Sequence, residues 1–386
     1  MAQIDPAASA RTFAVTVVIP VWNGAGVIGD CLRNLYANSG ASLQRVVAVD
    51  NGSPDDSAAE IERQFPHVHL VRSSFNLGFA GGVNLGVDTA FAADAKLDVA
   101  VLLNQDCLVE PRWLDALCAG LAGDAQVAIA GCTLLNADGT VNHAGARLEL
   151  PLAYSRHLTD IIAAPTPMDY VTGAVFAIRR AAWQALGPLD EDFYPAYYEE
   201  TDYCYRARHH GWGVLYVPAA RARHLQTSQA WRQDPLLHWT QQHRARYRFV
   251  AKHFAAGELA AFFAAEHAAL AAEAWFDQVM GRLLAARHVL RGLEATLQRR
   301  YRELDGLPSS ADKRQLQVGF ADLAQASFRR AVTFTQANVR TFFQRVTFRL
   351  GRAQGSAATA VDALRDPSVR AAQTYVLALL TEYEYR

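Results

Sequence analysis

The sequence predicts an α/β fold: a mostly parallel sheet with helices on both faces, followed by a mainly α-helical module. Three observations predict it. Short β-branched apolar runs alternate with helical stretches through the first hundred residues. Polar clusters follow directly on three of those runs. After about Trp239 the character changes: Ala, Arg, Leu and Phe dominate, and Gly-rich turn signals thin out. The division is placed at residue 240, with 1–240 as the sheet-bearing domain and 241–386 as the helical module.

The elements follow in order. FAVTVVIP, from Phe13 to Pro20, is a short buried strand ending at proline. Gly26 to Tyr36 reads as a helix. RVVAV, Arg45 to Val49, is a second buried strand, stopped by the turn signal Asp50-Asn51-Gly52-Ser53-Pro54. Asp56 to Phe65 is a helix and Val68 to Arg72 a third strand. Val83 to Ala92 is a helix, preceded by a glycine-bearing loop from Ser74 to Asn84. Val99 to Leu103 is a fourth strand, and Gly213 to Pro218 is strand-like. The helical module breaks at Asp305 to Ser310.

With 51% hydrophobic and 19% charged residues, the chain can build a packed core and is not globally disordered. A net charge of −1 gives no support for a nucleic-acid partner. That value conceals an asymmetry. Residues 1–240 hold 16 Lys and Arg against 25 Asp and Glu, and residues 241–386 hold 21 against 13. An acidic front and a basic rear suggest modules with different partners. The five cysteines, Cys31, Cys107, Cys118, Cys132 and Cys204, are scattered without CxxC spacing. This argues against a disulfide framework or a zinc site and fits a reducing compartment. The opening MAQIDPAASARTF lacks the apolar stretch of a signal peptide. The alanine-rich run from Gly257 to Phe276 is interrupted by Glu258, Glu266 and Glu273, and reads as a soluble helix. The expectation is a cytoplasmic protein.

In an open α/β sheet, functional loops lie beyond the carboxyl ends of the strands. Val21-Trp22-Asn23, Asp50-Asn51-Gly52-Ser53 and Asn104-Gln105-Asp106 all fall there, which suggests one shared site. Asp106, just past the strand of VAVLLNQD, can ligate a divalent cation that bridges phosphate oxygens; the competing reading is a cap for the next helix. Asp50 can accept from a base N–H or a ribose hydroxyl, or simply close an Asx turn. Trp22 can offer a flat face to a base, or pack in the core. The glycines at 78, 81 and 82 permit close backbone approach to a ligand. The densest acidic cluster is Glu199, Glu200 and Asp202, set among Tyr197, Tyr198, Tyr203 and Tyr205. Crowded carboxylates raise one another's pKa, which suits a general base. Asp202 and Arg206 are four apart and can pair on one helix face. The plainer reading is an acidic helix N-terminus. His224 reads as a polar surface or core residue, or as a further metal ligand.

These pieces resemble the family 2 glycosyltransferases of GT-A fold (Rossmann-like), and especially the rhamnosyltransferase-like branch that builds bacterial polysaccharides. The resemblance covers about residues 14–230. It rests on VVIPVWNG at 17–24, VDNGSPDDS at 49–57, NLGFAGGVNLG at 76–86, LLNQD at 102–106, TGAVFAIRR at 172–180, GPLDEDF at 187–193, YEETDYCYRARHHGW at 198–212 and YVPAARARH at 216–224. It implies inverting transfer of a sugar by direct displacement, from a nucleotide-diphosphate sugar of the dTDP-rhamnose or UDP-hexose class to a glycan or lipid-linked acceptor. Pro20, Trp22, Asp50, Asn76, Gly78, Asn84, Asn104 and Gln105 would line the nucleotide-sugar. Asn104-Gln105-Asp106 stands where the family has its DxD motif, with only the last acid retained. Asp106, with His224, would hold Mg2+ or Mn2+. Glu200 falls where the family usually has Asp as base, with Glu199 and Asp202 as its neighbours in the catalytic cluster. Thr172, Gly173, Tyr197 and Tyr198 would lie on the acceptor side.

Two other classes compete. A nucleotidyltransferase usually carries a cationic Gly-rich loop after its first strand, and Val21 to Gly26 holds no cation. A non-catalytic nucleotide-sugar-binding module would not need the acids at 106 and 200. In the tail, Phe328, Val332, Thr335, Val339, Phe342, Phe343, Val346 and Leu350 recur at helical spacing, with arginines mostly elsewhere. This reads either as an interfacial helix at the inner face of an anionic membrane or as a helix packed on the catalytic domain or a second subunit.

Overall fold

The structure is a computed structural model and describes residues 13–225, 234–304, 309–337 and 369–383. It divides into two compact units: Met1–Glu149 with Tyr154–Thr227, and Leu150–Ala153 with Ser228–Arg386.

The first unit is a sheet covered on both faces. Its parallel half consists of β1 (Val15–Val21), β2 (Leu43–Asn51), β3 (His69–Ser73) and β4 (Val99–Leu103). Alternation sorts the side chains. Val15, Val17, Ile19 and Val21 enter one core with α1 (Ile28–Asn38) and with Trp113, Leu114, Leu117 and Leu121 of α4 (Trp113–Ala122). Val18, Val47 and Val49 enter the other core with α3 (Gly78–Ala93). Fully burying a Val, Leu or Ile contributes roughly 1.5–3 kcal/mol, so these two clusters hold the sheet between its helices.

Beyond β4 the sheet is mixed, which the sequence reading does not foresee. β6 (Val127–Asn136), β11 (Val175–Arg179) and β12 (Gly213–His224) extend it, with β10 (Thr166–Pro167) at its edge. β11 lies between β4 and β6 and is antiparallel to both. β12 runs parallel to β6 but shifts register between Val217 and Arg221. The strand therefore does not stop at Pro218, where the sequence reading ends it. It resumes at Arg221 and pairs antiparallel with β5 (Cys107–Val109), setting His224 opposite Cys107.

α3 also departs from expectation, since it starts at Gly78 and not at Val83. Its glycines are packing devices more than loop residues. A Cβ on Gly86 would overlap Val18 Cγ1 and lie 2.9 Å from Val49 Cγ2. Gly86→Val should therefore destabilise the unit by about 1–3 kcal/mol through overpacking; chemical denaturation measures it, and an unchanged midpoint would refute the close approach.

The second unit is helical: α7 (Pro235–His253), α8 (Ala256–Ala272), α9 (Phe276–Leu304), α10 (Ser310–Ala337) and α11 (Val369–Tyr383), following α2 (Ser57–Gln64), α5 (Arg180–Leu186) and α6 (Glu199–His209) of the first unit. A buried polar knot lies within it. Glu266 accepts from Arg246 Nη2 at 2.7 Å, Arg282 Nε at 3.0 Å and Tyr247 Oη at 2.5 Å. The two guanidiniums overcome the burial of the carboxyl and hold it far below the usual carboxylate range. The break expected at Asp305–Ser310 falls between α9 and α10, with residues 305–308 outside the described residues. Of the apolar stripe from Phe328, Val332 and Thr335 are buried; residues 338–350 lie outside the described residues. No described helix is long and apolar enough to cross a membrane.

Candidate active site

The three strand-end loops do meet. Trp22 N–H donates to Gln105 Oε1 at 3.0 Å, and Gln105 Nε2 donates back to the Trp22 carbonyl at 3.0 Å. Asn23 N–H donates to Ser53 Oγ at 3.3 Å and Gly24 N–H to Ser57 Oγ at 2.8 Å. Gln105 therefore clamps the backbone of the first loop, a role its sequence position does not announce. Trp22 is 50% exposed, so the core-packing alternative fails and its ring is available to a ligand. Pro20, in β1, is half-buried. Asp50 is buried, and its Oδ1 accepts the Ser53 N–H at 3.0 Å. The Asx turn is present, and a carboxylate has a second oxygen to offer.

Two of the expected ligand-binding residues also tie the scaffold together. Asn84 Nδ2 donates to the Leu189 carbonyl at 3.0 Å and to Glu191 Oε1 at 2.9 Å, while its Oδ1 accepts Leu189 N–H at 2.9 Å. Both ends of its amide thus hold the 189–191 loop on α3. Asn76 Oδ1 accepts the Gly78 N–H at 2.8 Å and closes the turn into α3. The residue missed as an organiser is Asn51. Its Nδ2 donates to the Gly78 carbonyl at 2.9 Å, and its Oδ1 accepts Leu77 N–H at 2.9 Å. Gly78 itself has φ +74, and a Cβ there would sit 2.7 Å from Tyr194 Cδ2. The next amide, Phe79 N–H, donates to the Pro195 carbonyl at 3.0 Å. The start of α3 is thereby tied on one side to the β2 loop and on the other to the segment leading into α6.

That segment enters α6 through Tyr197 and Tyr198, with φ of +87 and +70. Two successive non-glycine residues in the left-handed region cost about 1–2 kcal/mol each. The Tyr198 hydroxyl accepts Ser155 N–H at 3.2 Å. Glu199 and Glu200 come next. Glu199 is buried, and its Oε1 has no partner among the described residues. Burial, then the adjacent Glu200, push its carboxyl well above the usual range. Burial raises Glu200 to about 7. Asp202 behaves differently. It is buried and accepts from Arg206 Nε at 2.9 Å, while Arg206 Nη1 and Nη2 donate to the carbonyls of Leu186 and Pro188 at 2.7 and 2.8 Å. The pairing expected from spacing is present, and it ties Asp202 to the scaffold.

β11 starts beside the end of β4, so Ala174 accepts the Asn104 N–H at 3.0 Å. The residues just before it reach α6: a Cβ on Gly173 would lie 3.9 Å from Glu200 Cβ. Thr172 Oγ1 accepts Ala174 N–H at 3.3 Å, closing this turn. Thr172 and Gly173 thus connect the Asn104–Asp106 loop with Glu200.

The β5–β12 pairing completes the arrangement. Leu225 N–H donates to the Asp106 carbonyl at 3.0 Å, and Asp106 Oδ1 lies 3.0 Å from His224 Nε2. Asn104 Nδ2 is 3.5 Å from the same nitrogen. Asp106, Cys107 and His224 bring potential metal-ligating atoms within 4.8 Å of one another. Burial pushes the Cys107 thiol well above its usual range, and it donates to the Ala174 carbonyl at 3.8 Å. A carboxylate oxygen and an imidazole nitrogen converging on one point, with the thiol held protonated, fit a hard or borderline divalent cation.

A parallel sheet ending in these loops, with antiparallel β11 inserted beside β4, defines a GT-A glycosyltransferase fold. The chain matches the family model described as glycosyltransferase like family 2 over residues 12–247, and it belongs to that family. It is 25% identical over 263 residues to the N-acetylglucosaminyl-diphospho-decaprenol L-rhamnosyltransferase of Mycobacterium tuberculosis, an alignment covering 61% of this chain and 85% of that protein. It is 26% identical over 183 residues to a low-salt glycan biosynthesis hexosyltransferase of Haloferax volcanii, covering 46% of this chain and 57% of that one. Among solved structures, S. aureus TarS 1-349 in complex with UDP superposes with a TM-score of 0.51 at 13% identity, over 84% of this chain and 92% of that one. GalNAc-T7 with UDP, GalNAc and Mn2+ gives 0.50 at 17%, over 62% of this chain and 48% of that one, so the match spans about half of its length. At such identities the structures speak for the fold alone.

Proposed function

We propose that the protein is an inverting, metal-assisted glycosyltransferase. It takes a sugar from a nucleotide-diphosphate donor of the dTDP-rhamnose or UDP-hexose class to a hydroxyl of a glycan or lipid-linked acceptor in surface polysaccharide synthesis. The observation that carries this reading is the 3.0 Å approach of Asp106 Oδ1 to His224 Nε2, two residues 118 apart in sequence. Asp106 and His224 would hold a divalent cation, Mg2+ or Mn2+, which would supply positive charge for the departing diphosphate. GalNAc-T7, of similar fold, was solved with UDP, GalNAc and Mn2+, which supports that reading. Asp50 accepts from the base or ribose, and Trp22 offers its exposed face to the base. Glu200 takes the proton of the acceptor hydroxyl as that oxygen bonds to the anomeric carbon and the carbon–diphosphate bond breaks. Its raised pKa keeps a substantial basic fraction near neutrality while making it a stronger base than an exposed carboxylate. Thr172, Gly173, Tyr197 and Tyr198 border the acceptor. In this reading residues 1–240 form the catalytic domain, residues 241–386 a module for membrane, partner or subunit contact, and the enzyme works in the cytoplasm at the inner membrane face.

The test is Asp106→Ala. Screening nucleotide-sugars by thermal shift identifies the donor, which at a hundred times its Kd stabilises the folded state by about 2.7 kcal/mol. With that donor and Mn2+, Asp106→Ala should lose most transfer and donor hydrolysis while its unliganded melting temperature stays near wild type. Full activity in the variant, or in excess chelator, would reject the metal-assisted reading.

A further inference from the structure

The amide of Gln105 joins two loops that belong to different strands. Trp22 N–H donates to its Oε1, and its Nε2 donates to the Trp22 carbonyl, both at 3.0 Å and across 83 residues of sequence. A side-chain amide has the donor and the acceptor of a peptide group, and here it pairs with the backbone of one residue as a neighbouring strand would. Gly24 makes room for it. A Cβ there would lie 2.5 Å from Gln105 Oε1 and 3.1 Å from Gln105 Cδ. Gly24 is not among the glycines with positive φ, so the position requires the missing side chain and not the backbone freedom.

The two ends of this clamp are unequal. On the Gln105 side the chain is pinned before and after: Asn104 N–H donates to the Ala174 carbonyl at 3.0 Å, Cys107 N–H to the Asn104 carbonyl at 3.1 Å, and Leu225 N–H to the Asp106 carbonyl at 3.0 Å. On the Trp22 side the chain is under strain. Asn23 has φ +51, a left-handed conformation that few residues other than glycine adopt. Trp22 is 50% exposed, so its ring takes little support from the core and follows the backbone that carries it. The fixed loop therefore sets the strained one, and Gln105 is the link. A ring held in place before a ligand arrives spares that ligand an ordering cost worth roughly two- to tenfold in affinity per side chain.

We propose that Gln105 is a positioning residue for nucleobase recognition: its amide, passing over Gly24, fixes Trp22 to the Asn104–Asp106 loop so that the ring is preset for the base of a nucleoside diphosphate. The proposal rests on the donor-binding reading given above and deepens it. Gln105 acts through Trp22, and its two bonds to that residue's backbone, not a bond to the ligand, are what the base depends on. The effect belongs to the base alone, because the diphosphate end of the ligand gains nothing from a preset ring.

The experiment titrates the full chain calorimetrically in Mn2+ with UDP, dTDP and inorganic pyrophosphate. It compares wild type with Gln105→Ala, Gly24→Ala, Trp22→Ala and Gln105→Ala/Trp22→Ala, and melting of the unliganded proteins checks folding. Gly24→Ala opens the clamp from the other side, with Gln105 still in place. The tighter of the two nucleotides should weaken by about threefold to tenfold in Gln105→Ala and in Gly24→Ala. Pyrophosphate should bind every folded variant alike, and Gln105→Ala should add no further loss once Trp22 is replaced. Pyrophosphate weakening in parallel with nucleotide, a Gln105→Ala loss that persists in full beside Trp22→Ala, or unchanged nucleotide affinity in both single variants overturns the positioning role and leaves the glycosyltransferase reading standing. A wild-type protein that binds neither nucleotide overturns both.

Discussion

Glu200→Gln should retain donor binding and lose about 10²–10⁴-fold in turnover, the usual contribution of a positioned general base. The substitution keeps shape and removes basicity, so the loss belongs in kcat, with donor affinity nearly unchanged. The pH profile gives a second handle. A base acts only when ionised, so wild-type turnover should rise with pH through about 7 and level above it. Glu200→Gln should flatten that rise. The stability linkage has the opposite sense. Between 4.5 and about 7 the folded state retains a proton that the unfolded state has released, so this carboxyl makes the fold less stable as pH rises through that window. Turnover of the variant at the wild-type rate would remove Glu200 from the mechanism.

Asp202→Ala should act on stability. It removes the Asp202 carboxylate from the buried Arg206 guanidinium, which also donates to the Leu186 and Pro188 carbonyls. Breaking a buried pair from one side costs about 3–5 kcal/mol, read as a lower denaturation midpoint at unchanged slope. A well-folded Asp202→Ala protein with wild-type stability and no turnover would exchange the roles assigned to Asp202 and Glu200.

How much of this was readable in advance depends on the kind of contact. β1, β2 and β4 are continuous β-branched runs, and their ends carry Trp22, Asp50 and Asp106, so the meeting of three loops follows from topology. The Asp202–Arg206 pair is local, four residues on one helix, and spacing alone foresees it. β6 and β11 are not foreseen, because short runs such as VAIAGCTLLN and VFAIR do not declare their partners. The nearness of Asp106 to His224 depends on a register shift in β12 and its pairing with β5, neither of which leaves a periodic signal. The scaffold contacts of Asn84 and Asn76 are hidden for a different reason. Asparagine before or within a glycine-rich helix start looks equally suited to holding a ligand and to holding the chain, and its bonds to Leu189 and Gly78 are seen only in the fold.

The corner at Asn51 and Gly78 bears on how the sequence can drift. One short stretch of backbone supports both the loop after β2 and the approach to α6, through the Asn51 amide on one side and the Phe79–Pro195 bond on the other. A change that reshapes the first loop, as a new donor nucleotide would demand, moves the corner and with it the strained tyrosines ahead of Glu200. The two regions are therefore expected to change together. Substitutions around Asp50 should survive mainly in backgrounds already adjusted near Tyr194, and grafting one loop from a relative without the other carries a mismatch into the site.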